Sequence, residues 1–279
     1  MSPLFFTLSA FAASAGAGLI GSLVGLGGGV IIVPILTLML GVDIRYAIGA
    51  SVVAVIATSS GTAAAYVRDR LTNIRVALFL ELATVTGALS GAALTGFIQG
   101  KWLFVIFSGV MAYSALNMLR SRAALSSAPP EPSPLTRRLA LAGEYYDEST
   151  RSMVRYQVHR PYFGFCLMYF AGAISGLLGI GSGALKVPAM DLAMRLPIKV
   201  STATSNFMIG VTAAASAGVY LARGDIEPLI VAPVCLGAVA GAILGSRLFP
   251  KLSNRFIRAL FVVALLFISV QMGIRGLSE

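Results

Sequence analysis

Gly25-Leu26-Gly27-Gly28-Gly29 interrupts a long apolar run near the start of the chain, and Gly179-Ile180-Gly181-Ser182-Gly183 interrupts another run 154 residues later. A short apolar stretch containing a proline, Pro34 or Pro188, follows each break. In a bilayer an unwound backbone is tolerated only where it lines a cavity or is covered by protein, because its peptide groups find no water there. Two such breaks at matching positions of two halves point to a transporter's binding site.

Working outward from the breaks, the composition sets the class. Of 279 residues, 57% are hydrophobic and 11% charged, and the mean hydropathy is +0.86. Several runs exceed the roughly 18 apolar residues that mark a transmembrane helix, so the expected fold is an all-α polytopic membrane protein. The net charge of +10 reads as cytoplasmic-loop lysine and arginine rather than as a nucleic-acid surface. Cys166 and Cys235 sit in apolar segments without metal-ligand spacing, and Met1 to Phe6 lacks the basic region of a cleaved secretory signal.

The two halves repeat. Aligning Ala17–Pro34 with Ala171–Pro188 gives nine identities in 18 positions, and the same offset pairs Ser51 with Ser205, Thr58 with Thr212, Thr62 with Ser216 and Tyr66 with Tyr220. A small deletion then aligns Gly87 and Gly91 with Gly237 and Gly241. Residues 1–119 form the first membrane repeat and 161–279 the second. Between them, residues 120–160 carry Pro129, Pro130, Pro132 and Pro134 with seven arginines and read as a solvated linker.

Each half holds a broken run, residues 4–40 or 163–194, followed by three spans: 46–67, 75–98 and 102–119, then 199–221, 228–248 and 256–274. Charge decides how often the broken run crosses. With the linker in the cytoplasm, a single crossing in half two would place Arg195, Lys199, Lys251, Arg255 and Arg258 outside. A run that enters and returns leaves 16 basic residues inside, four outside (Arg45, Lys101, Arg223, Arg275), and Lys186 alone within the membrane. The repeats are then inverted, with five helical pieces per half, both termini outside, and alternating access to a central site.

The piece after each break, Val30–Leu40 or Ala184–Met194, has 11 residues and reaches only roughly 17 Å. It is read as the returning arm of a hairpin with its glycine tip near the midplane. The first N–H groups of such an arm lack carbonyl partners and sit at the positive end of its dipole, so they can hold an anion. Gly27, Gly28, Gly29, Gly181, Ser182 and Gly183 are therefore candidate ligands. Lys186, where half one has Ile32, is a candidate counter-charge. Glycine clusters also serve close helix packing, and a lysine can snorkel to an interface.

Ser51, Thr58 and Thr62 share one helix face, as do Ser205, Thr212 and Ser216, with Ser201, Thr202 and Asn206 adding donors. Ser51, Ser205 and Asn206 are candidates to complete an anion cavity; the alternative is that hydroxyls bond their own helix or knit neighbours. Glu81 either carries coupling protons or pairs with an interfacial arginine.

Enzyme chemistry is poorly provided for. The single histidine, His159, lies in the linker, so no buried Ser-His dyad forms, and no His or Cys cluster suits a catalytic metal. Gly181-Ser182-Gly183 lacks the first glycine of a nucleophile elbow, and no Walker A lysine is present.

The doubled element A-G-L-I-G-S-L-V-G-L-G-G-G-V-I-I-V-P and A-G-A-I-S-G-L-L-G-I-G-S-G-A-L-K-V-P, with the helix starts Ala50-Ser51 and Thr204-Ser205, resembles the TauE/SafE family of sulfite exporters. Gly27, Gly28, Gly29 and Pro34 match its first motif, and Gly181, Ser182, Gly183 and Pro188 its second. The resemblance implies a secondary carrier of sulfite, a sulfonate such as sulfoacetate, or a related small anion in the bacterial cytoplasmic membrane. Export is the expected direction and H+ the expected coupling ion, with no cofactor and no nucleic-acid partner; a homodimer fits the same reading. Carboxylate transport on the same scaffold and a non-transporting membrane scaffold are the alternatives. Because only half two carries Ser182 and Lys186, the anion is expected off the pseudo-axis, closer to the second break.

Overall fold

The computed structural model describes residues 3–95, 97–98, 100–120, 134–148, 150–178 and 183–278. The first repeat runs as α1 (Pro3–Val24), α2 (Gly29–Pro34), α3 (Ile44–Arg68), α4 (Ile74–Thr95) and α5 (Gly100–Arg120). A short α6 (Pro134–Arg138) and a hairpin of β1 (Gly143–Asp147) and β2 (Ser152–Tyr156) lead to the second, made of α7 (Pro161–Leu178), α8 (Gly183–Pro188), α9 (Ile198–Ala222), α10 (Pro228–Leu248) and α11 (Asn254–Ser278). Seven helices among the described residues are long and apolar enough to cross a bilayer. The chain is an all-α polytopic membrane protein apart from the one hairpin.

That hairpin lies in the segment expected to be a solvated linker. It pairs Gly143 with Tyr156 through Asp147 with Ser152, and buries Leu141, Tyr145, Asp147 and Val158. Residues 121–133, with three of the four linker prolines, lie outside the described residues.

The first break has a local cause. Gly25, Gly27 and Gly28 adopt φ of +82°, +69° and +78°, a left-handed conformation that only glycine takes without strain. The returning arms are shorter as α-helix than expected. Pro34 and Pro188 each end six residues of α-helix, and five residues of π-helix follow, Ile35–Met39 and Ala189–Ala193. Proline has no N–H and its ring crowds the carbonyl four residues back, which accounts for the ladder widening there: Leu40 N–H reaches Ile35 O at 3.3 Å and Met194 N–H reaches Ala189 O at 3.2 Å.

The offset of 154 holds beyond the breaks, since Gly29, Ile44 and Ile74 begin helices as do Gly183, Ile198 and Pro228. The deletion expected before the later glycines is absent. A Cβ on Gly87 or Gly91 would run into the carbonyl of Tyr169 or Ala173, and one on Gly241 or Gly245 into that of Ala15 or Leu19. Gly87 and Gly91 thus correspond to Gly241 and Gly245, not to Gly237 and Gly241. A helix carrying glycine every fourth residue matches itself one turn out of register, and only these carbonyl contacts separate the two alignments.

The same glycines show how the repeats interlock. α1 lies along α10 in the same direction (Phe11 at Gly237, Ala15 at Gly241), and α7 lies likewise along α4. Backbones approach closely because the crossing residues are small, as in other membrane helix pairs. Corresponding helices instead run opposite ways where they meet. Gly276 lies by Phe104 and Gly273 by Ser108 in the α5–α11 pair; for α3 and α9, Gly49 lies by the Asp225 carbonyl, and Asn73 N–H donates to Thr204 Oγ1 at 3.1 Å.

Candidate functional site

The first break depends on side chains from both repeats. Gly25 O accepts from Ser205 Oγ at 2.9 Å and Gly27 O from Thr58 Oγ1 at 3.0 Å. Ser22 O, at the end of α1, accepts from Tyr66 Oη at 3.0 Å and Asn206 Nδ2 at 3.1 Å. These are carbonyls that an interrupted helix leaves without N–H partners, satisfied by α3 and α9. The second repeat repeats one of these bonds, Tyr220 donating to Gly176 O. Ser205 and Asn206, read as candidate anion donors, therefore already donate to the backbone of the break, while Asn206 Oδ1 and Thr202 Oγ1 are buried without a hydrogen-bond partner. Ser51 is fully buried on the same face of α3. Thr62 and Ser216 bond back to their own helices.

The two breaks meet. A Cβ on Gly183 would collide with Gly25 O and Leu26 Cα, and one on Gly27 would press on Ile209 of α9. Gly28 caps α2 and Gly29 begins it, both buried. Gly181 and Ser182 lie outside the described residues.

One turn beyond Gly183 stands the charged group of the site. Lys186 is fully buried; its Nζ donates to Thr212 Oγ1 at 2.6 Å and lies 3.7 Å from Glu81 Oε2. Thr212 Oγ1 donates in turn to Glu81 Oε1 at 2.6 Å, with Thr84 Oγ1 at 3.5 Å. Three helices, α8, α9 and α4, thus bring an ammonium, a hydroxyl and a carboxylate together. Removing an isolated charge from water costs several kcal/mol even after relaxation, so each charge here requires the other. Lys186 does not snorkel to an interface, and Glu81 pairs with it rather than with an interfacial arginine.

The pseudo-symmetric counterpart, likewise drawn from both repeats, is uncharged. Ile32, Thr58 and Cys235 stand where the second site has Lys186, Thr212 and Glu81, and Thr58 spends its proton on Gly27 O. Sequence reasoning selected Lys186 and Glu81 separately and missed that Thr212 joins them. The repeat offset had already marked Thr212 and both tyrosines as positions of interest, but not their partners.

A second polar cluster gathers at one end of the bundle. Lys199 Nζ donates to Asp147 Oδ1 at 2.8 Å and to Pro250 O at 3.0 Å, both side chains of the ion pair being buried. Asn73 Nδ2 donates to Leu141 O at 2.8 Å, and His159 N–H to Met194 O at 3.0 Å. Here burial, with Arg195 and Arg160 nearby, lowers the pKa of His159 below its ordinary value. The linker hairpin touches both repeats, through Asp147 on Lys199 and through Tyr156 Oη, which accepts from Asn73 Nδ2 at 3.1 Å.

Comparison with known proteins places the chain. A family model described as sulfite exporter TauE/SafE matches residues 10–272. A probable membrane transporter protein of Bacillus subtilis, YunE, is 28% identical over 94% of this chain and 95% of its own length. A second from that organism, YdhB, is 26% identical over 84% and 88%, and a probable membrane transporter protein of Xylella fastidiosa (strain 9a5c) is 28% identical over 85% and 83%. No solved structure matches. The chain belongs to the TauE/SafE family and is a multi-pass membrane transporter.

Proposed function

We propose that this member of the TauE/SafE family is a secondary transporter that exports a small sulfur-containing anion, sulfite or a sulfonate such as sulfoacetate, across the bacterial cytoplasmic membrane. The observation that carries the reading is the contact of Gly183 with Gly25 and Leu26, one turn from a buried ammonium. Anion selectivity follows from that ammonium, and the glycines let backbone approach the ligand closely. Gly27, Gly28 and Gly29 on one side and Gly183 on the other frame the site, with Lys186 as counter-charge. Ser205 and Asn206 hold the shape of the first break, and Ser51 is proposed to line the cavity from the same face of α3.

Alternating access is proposed to arise from two inverted repeats. Support comes from direction: corresponding helices meet antiparallel, as a two-fold axis in the membrane plane requires. The linker, Asn73, Lys199 and Pro250 at one end are assigned to the cytoplasm because basic residues concentrate there, leaving both termini outside.

Purified protein in liposomes tests this. Flux of labelled sulfite or sulfoacetate is expected, reduced at least tenfold in Lys186→Met. Unchanged flux in that variant removes Lys186 from the site. A preference for short carboxylates over sulfonates corrects the substrate class, and absence of flux for every anion overturns the transport reading in favour of a scaffold.

A further inference from the structure

We infer that Glu81 is the resident anion of the Lys186 site, and that a transported anion replaces it only as Glu81 takes up a proton, so that anion and proton cross together in the same direction. The inference rests on the anion-transport reading above and specifies its coupling: export runs down the anion's own gradient and takes a proton out with each anion, whereas an inward proton gradient drives the same cycle toward uptake.

Geometry provides the first support. The Glu81 carboxylate occupies the position a ligand of Lys186 would take, with Oε1 on the Thr212 hydroxyl and Oε2 3.7 Å from Nζ. Oε2 is buried without a hydrogen-bond partner, so one carboxylate oxygen has a lone pair that no donor fills and can accept a proton. Thr212 can release its hold, because its Oγ1 also lies 3.0 Å from Met208 O in its own helix. The step is a plain protonation: an O–H bond forms on Glu81 from an aqueous proton, and the anion takes over the ion pair with the Lys186 ammonium.

Charge decides the direction of coupling. Ammonium with carboxylate is neutral, and so is ammonium with a bound monoanion and a protonated Glu81. Exchange of a proton for an anion would instead alternate between a site of net negative charge (ammonium, carboxylate and anion) and one of net positive charge (ammonium with protonated Glu81). Each of those states buries an uncompensated charge, which is heavily penalised away from water.

The surrounding charged groups have partners or lie exposed, and within the Lys186–Glu81 pair the carboxylate alone has an unfilled acceptor, Oε2. On α8 and the π-helical turn after it, Asp191 is held by Arg258 at 2.9 Å. On α9, Lys199 is paired with Asp147, Tyr220 bonds Gly176 O, and Arg223 is paired with Asp225. On α7, Tyr169 sits by Ser90 at 3.4 Å and Cys166 is exposed. On α5, Tyr113 is exposed, and Arg75 at the start of α4 donates to Ala140 O. The pseudo-symmetric positions hold Ile32 and Cys235, so a cycle carries one anion and one proton.

Methanesulfonate, which stays a monoanion throughout the neutral range, is the probe. In liposomes of the parent protein, an inward gradient of one pH unit is expected to accumulate it about tenfold, the limit for one-to-one electroneutral coupling. A membrane potential imposed with potassium and valinomycin should leave the flux unchanged. Glu81→Gln, a mimic of the protonated state, is expected to carry methanesulfonate without response to pH and to become sensitive to the potential. A second measurement covers a variant that does not fold: adding methanesulfonate to the parent protein in weakly buffered detergent should take up one proton per anion bound. Accumulation against an outward-directed proton gradient, potential-driven flux in the parent, or binding without proton uptake each overturns the coupling while leaving anion transport intact. Absence of flux for sulfite, sulfoacetate and methanesulfonate alike overturns both.

Discussion

At Lys186, burial and charge together fix what a substitution does. Replacing one member of a buried ion pair strands the other, at a cost of about 3–5 kcal/mol. Lys186→Met should therefore lower the thermal unfolding temperature in detergent more than the double variant Lys186→Met with Glu81→Gln, which removes both charges. An equal loss in the two would mean that the charges do not stabilise each other. The Tyr66 hydroxyl donates to Ser22 O, so Tyr66→Phe, which keeps the ring on Phe249, is expected to cost about 1–3 kcal/mol by leaving a buried carbonyl one partner short. Because Ser22 O keeps Asn206 Nδ2, the lower part of that range applies, as measured by the shift of the unfolding midpoint.

Helix pairs set the next scale. α1 against α10 and α4 against α7 approach until glycine Cα atoms lie on the opposing carbonyls, a separation that leaves no room for a methyl group. Gly91→Ala and its counterpart Gly245→Ala should each destabilise by about 1–3 kcal/mol through overpacking. Gly218→Ala, where nothing lies within 4 Å of an added Cβ, is the neutral control in the same melting assay. The linker hairpin is also a structural element, joined to α9 by the Asp147–Lys199 pair. Asp147→Asn is expected to loosen it, detected as faster proteolysis between residues 140 and 157. The combined change Asp147→Leu with Lys199→Met should restore much of the resistance, since an apolar pair of similar volume can replace a buried ion pair.

For the whole molecule, the two ends of α9 make the orientation testable. Lys199 lies at one end beside the hairpin and Arg223 at the other beside Ala92 O. In a background lacking Cys166 and Cys235, a cysteine at Arg223 is expected to react with an impermeant maleimide from outside the cell, and one at Lys251 only after the membrane is opened. Reaction of the Arg223 position solely from the cytoplasm would overturn the inverted arrangement.

Much of this architecture was legible in the chain. Hydropathy located the spans to within a few residues, the repeat offset located the breaks, and charge counting led to five pieces per half, because each of these depends on local composition or on a bilayer's uniform demand for apolar surface. The register of Gly87 with Gly241 was not legible, since a glycine-rich helix resembles itself one turn away. Nor was the packed hairpin in the proline-rich segment. The union of Glu81, Lys186 and Thr212 was beyond sequence for a different reason: three residues on three helices carry no pattern relating them until the helices are packed. The sequence by itself determined a duplicated membrane protein with two glycine breaks. Only tertiary structure decided that the Lys186–Glu81 ion pair lies buried behind them, because the cost of burying a charge is settled by what stands opposite it in space.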